Sequence, residues 1–200
     1  MASSCFRITI AAMLAMLAGA GAPAASAAAP AADNAQLAAW TPKELHFVYQ
    51  GFTTRYSCDG LREKVRSALL ALGARKDLTV HEGVCSSAAG RPEPFPGVNI
   101  KMQVLTPLTA TAAAPDATAV AAHWKTVDLR LNQDVLSESG DCELIEQIKQ
   151  SILPLFTTRN VEYSSNCGPH QLSASGTRLR AEVLISDAPE KKPGTDAATH

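Results

Sequence analysis

The chain has 200 residues, 46% hydrophobic and 18% charged, with a formal charge of −1. That composition supplies one ordinary core or two small fused ones, and it excludes a collagen-like, coiled-coil or wholly disordered protein. With 18 basic residues against 19 acidic ones, there is no bulk attraction to nucleic acid or anionic lipid, and neither is expected as a partner.

The first 27 residues contain one base, Arg7, then an apolar run from Ile8 to Ala20 and small residues ending in Ala25-Ser26-Ala27. This is the pattern of a secretory signal cleaved near Ala27. The apolar run is shorter than the ~20 residues a transmembrane anchor needs, and no comparable run follows. The mature chain is therefore expected to be exported, periplasmic or secreted, with no membrane span. Residues 28–37 and 188–200 read as disordered from their composition.

Within 38–187, Leu45, Phe47 and Tyr49 alternate with His46, Val48 and Gln50, which predicts a half-buried strand. After a turn, Ser57 or Asp59 caps a helix that gathers Leu61, Val65, Ala68, Leu69 and Leu72 on one face and stops at Gly73. Leu78 and Val80 make a short strand. A loop over 86–97 with Pro92, Pro94 and Pro96 leads to a third strand through Ile100, Met102 and Val104. The segment 106–121, rich in Ala, Thr and Pro, reads as a linker. The second half then offers Val127, Leu129 and Leu131, a helix from Asp141 carrying Ile145, Ile148 and Ile152 that Pro154 kinks or ends, a strand at Val161 and Tyr163, and one at Leu179, Ala181 and Val183.

An offset of 84 residues superposes the halves. Trp40 falls on Trp124, Leu45 on Leu129, Cys58 on Cys142, Ser67 on Ser151, Leu69 on Leu153 and Arg75 on Arg159. The only two Trp of the chain match, each eighteen positions before a Cys. The expected fold is α+β: two tandem β-α-β-β repeats, 38–105 and 122–187, forming a mixed sheet with two helices on one face and an open polar face. Halves of this size are small for independent cores, so one pseudo-symmetric domain is expected, with two loosely joined domains as the alternative.

Cys5 leaves with the signal, and Cys58, Cys85, Cys142 and Cys167 remain, an even number suited to two disulfides in an oxidising compartment. A strand, crossover helix and parallel strand bring the helix start and the end of the second strand to one pole, which pairs Cys58 with Cys85 and Cys142 with Cys167. Paired cysteines are not nucleophiles. No close metal-ligand pair, phosphate loop, dinucleotide fingerprint or nucleophile elbow occurs, so neither a metal nor a cofactor is expected.

Three features carry the remaining functional signal. His46 and His81 have the parity opposite to the apolar residues of their strands, which would be parallel and close enough for a metal or acid-base pair; surface histidines of this kind are most often simply solvated, and that is the favoured reading. The turn Gly51 to Ser57 leads into a helix N-terminus where backbone amides with Thr54, Arg55 and Tyr56 suit an anion, and His170 follows Cys167 at the same pole; plain capping is the alternative. Residues 43–101 hold nine bases and six acids, and 116–187 six bases and ten acids; opposite signs could help the halves dock or orient a partner, and drift on solvated faces is the favoured account. Phe47 and Tyr49 follow the core parity, so aromatics are expected to be missing from the polar face, against a base-stacking platform.

The segments Tyr56-Ser57-Cys58-Asp59-Gly60-Leu61 and Asp141-Cys142-Glu143-Leu144-Ile145 resemble an uncharacterised family of small exported bacterial proteins. The likeness covers most of the mature chain, and it brings neither an activity nor catalytic residues. The expected function is non-catalytic: an exported, disulfide-stabilised protein that binds an unknown protein or small ligand. The alternative is a hydrolase or small-ligand enzyme using the pole near Arg55, Tyr56 and His170.

Overall fold

The computed structural model describes residues 35–85, 91–108, 118–130, 136, 141–168 and 176–186. The signal-like segment, His170 and residues 188–200 lie outside the described residues. The alternating pattern that begins at Leu45 extends backwards, so β1 spans Gln36–Val48 and starts inside the segment read as disordered. Ser57 caps α1, Cys58–Ala71, its side chain accepting from the Gly60 amide at 3.1 Å. Leu61, Val65, Ala68 and Leu69 are the buried stripe of that helix. Gly73 ends it with φ +92°, where a β-carbon would stand 2.9 Å from Ile185 of the other half.

β2 is Thr79–Glu82, β3 Gly97–Pro107 and β4 Val120–Arg130. The second helix is shorter than its pattern suggests. α2 covers Asp141–Gln147, widens into a π turn over Ile148–Ile152 and tightens to a 3-10 turn, Leu153–Leu155, at Pro154. The widened turn keeps both Ile148 and Ile152 fully buried. β5, Thr158–Ser164, and β6, Arg178–Ser186, complete the fold.

The six strands form one sheet in the order β2-β3-β1-β4-β6-β5. Every pairing is antiparallel, which corrects the expected mixed sheet. β1 and β2 do run the same way, but β3 returns between them. The long, apolar β3 takes the inner position in register with β1 from Pro107 to Gly97, and the four-residue β2 is left at the edge. Alternation of apolar and polar residues is the same for either strand direction, so the pattern alone does not distinguish them. The same succession of elements flanks the β1/β4 junction on both sides, and that junction is short: Gln36 to Ala38 against Ala122 to Val120.

One apolar cluster draws on both halves, joining Phe47, Leu61, Leu69 and Ile100 to Leu144, Ile148, Ile152 and Val183. Fully burying each large aliphatic side chain stabilises the fold by about 1.5 to 3 kcal/mol. Disulfides join Cys58 to Cys85 and Cys142 to Cys167, with Cα separations of 6.2 and 5.7 Å.

The opposite face of the sheet is polar towards its ends. His46 Nδ1 lies 2.7 Å from Asn99 Oδ1, and Glu44 pairs with Lys101 at 3.0 Å. His81 is in register with Asn99 too, so β3 separates the two histidines and they are not neighbours. The middle of this face is apolar, in contrast to the expected open polar face without aromatics. Ala38, Leu105, Ala122 and Leu184 pack there with Trp40, Val120 and Trp124. The reading of β1 that stopped at Leu45 left Trp40 out, although it shares the parity of His46. Arg75 sits 5.8 Å from the Trp40 ring and Arg159 4.4 Å from the Trp124 ring, two cation–π contacts on residues related by the same offset.

On the same face Asp128 accepts from Arg130 at 2.8 Å and from Arg178 at 2.6 Å. Arg130 first, then Arg178, hold its carboxyl below the ordinary 3.8, at about 2. A carboxyl with a depressed folded value adds stability above its unfolded value and loses it as pH falls through the folded one. Urea midpoints should therefore drop between about pH 4 and about pH 2 partly through Asp128, and Asp128→Asn should flatten that part of the profile. An identical acid limb in the variant would remove this role.

Candidate functional site

The two helix starts, the two disulfides and the turn after β1 meet at one pole. The turn opens with Gly51, where a β-carbon would fall 1.8 Å from the Tyr49 hydroxyl oxygen, so only glycine lets the chain pass the ring. Amides earlier in this turn, those of Phe52 and Thr53, meet a carboxylate of the chain itself. Glu143 Oε2 accepts from the backbone amides of Phe52 at 2.9 Å and Thr53 at 3.0 Å and from the Tyr49 hydroxyl at 3.1 Å, while Oε1 accepts from the Thr53 hydroxyl at 3.1 Å. Four donors satisfy one buried carboxylate. Burial first, and then the Glu143 charge, push the Tyr49 hydroxyl far above its ordinary value, which keeps it a donor.

Asp141, fully buried, accepts from the Tyr56 hydroxyl and from Lys64 Nζ at 2.9 Å. Tyr49 and Tyr56 meet edge to face at 4.8 Å between centroids. The Gln147 side chain closes a two-way clamp on the Gln50 backbone, accepting from its amide and donating to its carbonyl at 2.9 Å each. First-half Lys64 and the turn thus lock onto second-half carboxylates.

Of the residues expected to bind a ligand, Tyr56 is buried with its hydroxyl on Asp141, Thr54 is half-buried, and Arg55 is exposed. None of the three is in the lining of the groove described next. A groove of about 420 Å³ does open beside them. One wall is Val48, Gln50 and Phe52; the other is Glu143, Glu146, Gln147, Gln150 and Ser151, with Cys167 of the second disulfide at the margin. The π turn contributes Gln150 and Ser151 while its isoleucines stay in the core. The sequence does carry a signal for the helical wall: Glu143, Glu146, Gln147 and Gln150 recur at helical spacing opposite Leu144, Ile145 and Ile148. The opposing wall has no such signal, because it is assembled from the end of a strand and a turn some ninety residues earlier.

Compared with described protein families, curated proteins and solved structures, the chain matches none. Among the described residues, no helix is long and apolar enough to cross a membrane, and no three His, Cys, Asp or Glu side chains gather as a metal site. The groove is the part of the described structure where several polar side chains and an exposed aromatic ring border one accessible space. Its lining offers amide and carboxylate groups for hydrogen bonds beside an apolar ring, on walls tied to the disulfides and the buried network.

Proposed function

We propose that the protein is an exported binding protein that takes a ligand or a segment of a partner in the groove at the disulfide pole. The observation that carries this reading is the groove itself, about 420 Å³ between the turn after β1 and the α2 wall. Export is supported by the signal-like first 27 residues and by two disulfides, which persist in oxidising compartments. The scaffold reads as a duplicated β-α-β-β unit. That reading is supported by the matched order of elements about the β1/β4 junction and by the Arg75/Trp40 and Arg159/Trp124 contacts at the shared offset.

The test is an NMR screen of the oxidised full chain against a panel of small cations, anions and neutral compounds. Binding should shift the amide resonances of Gln50, Gln147, Gln150 and Ser151 together, and Ser151→Trp, which fills the groove from an exposed position, should abolish those shifts. Hits that spare these residues, or that survive Ser151→Trp unchanged, would remove the groove as the site.

A further inference from the structure

Resting on that reading of the groove, we infer that its ligand is a cation on an aliphatic stem: a primary amine, presented by a free diamine or by a lysine side chain. Among the described residues, those that line the groove include two carboxylates, Glu143 and Glu146, and no basic side chain. Glu143 has its acceptor sites occupied by Tyr49, Phe52 and Thr53, so it contributes charge without being the group that meets the ligand. Glu146 is different. It is half-buried, and the Gln150 amide reaches it only at 3.4 Å, which leaves strong acceptor capacity on a carboxylate one helical turn from Glu143.

The wall opposite suits the rest of such a ligand. Val48 and the 69% exposed Phe52 offer hydrocarbon for a stem, and the Phe52 ring offers a face that attracts a cation. An anion would lose hydration beside two negative charges with no compensating base among the described lining residues, and a neutral diol would gain neither the ionic hydrogen bond nor the ring contact. The groove therefore selects by charge first and by the apolar stem second.

Three compounds of equal length separate these outcomes: cadaverine, glutarate and 1,5-pentanediol, titrated calorimetrically into the oxidised full chain at low salt. Cadaverine should bind saturably and the other two should not. Glu146→Gln should weaken cadaverine about tenfold or more, and Glu146→Asp should retain part of the affinity. Added salt should weaken the interaction. A capped Ala-Ala-Lys-Ala-Ala peptide binding more tightly than cadaverine identifies a lysine of a partner as the source, and weaker binding identifies a free amine. Glutarate or pentanediol binding as well as cadaverine, with all of it lost in Ser151→Trp, would overturn the charge selectivity and keep the groove. No binding of any of the three would overturn the amine reading, and the broader panel then decides the groove. Equal cadaverine affinity in Glu146→Gln would also overturn it.

Discussion

Reduced and alkylated at its four bridged cysteines, the chain should lose about 7 kcal/mol of stability. The bridges span 27 and 25 residues, and chain-entropy arithmetic assigns each closed loop about 3.5 kcal/mol. They do not overlap in sequence, so the two constraints on the unfolded chain add. Domains of this kind are stable by only about 5 to 15 kcal/mol, so the loss removes from about half to all of that stability. Urea titrations followed by far- and near-UV circular dichroism, oxidised against reduced, measure the difference. Replacing one pair by serine should show about half the loss. Cys142→Ser with Cys167→Ser should be the costlier change, because Cys142 is fully buried between Asp141 and Glu143. A reduced chain with an unchanged midpoint would show that the core alone holds the fold.

Asp141→Ala should cost about 3 to 5 kcal/mol. The carboxylate is fully buried, and the Lys64 side chain that meets it is only 14% exposed. Removing Asp141 leaves a largely desolvated ammonium without that partner and takes the acceptor from the Tyr56 hydroxyl. The same physics predicts an asymmetry. The double replacement Lys64→Met with Asp141→Leu removes both charges, so it should cost less than Asp141→Ala alone. A cycle of the two single variants and the double one, read from urea midpoints, measures the coupling between the halves. A loss under about 1 kcal/mol in Asp141→Ala would mean that this contact does not join them.

Much of the fold was legible because its causes are local. The stripe of Leu61, Val65, Ala68 and Leu69, the Ser57 cap and the stop at Gly73 depend on residues within a few positions of one another. So does the side that Phe47 in β1 and Tyr49 just past its end take, and an even count of cysteines already implied two bridges. The π turn at Ile148 was not legible in this way. Ile148 and Ile152, four positions apart, share one face of an ordinary helix as well, so the apolar spacing carries no mark of the widening before Pro154.

The candidate site divides along the same line. That a turn rich in amides and hydroxyls follows β1 is written in Gly51 to Ser57; that its anion is Glu143, some ninety residues away, is not. Sequence by itself determined the type and order of the helices and strands and the apolar face of most of them, but not their ends, because periodicity and capping are short-range properties of the chain. Tertiary structure alone decided that β3 lies between β1 and β2, that two tryptophans share the helix-free face, and that the turn and α2 enclose a groove. Those outcomes depend on long-range pairing, where alternation is blind to strand direction and only the packing of the two halves together selects one arrangement.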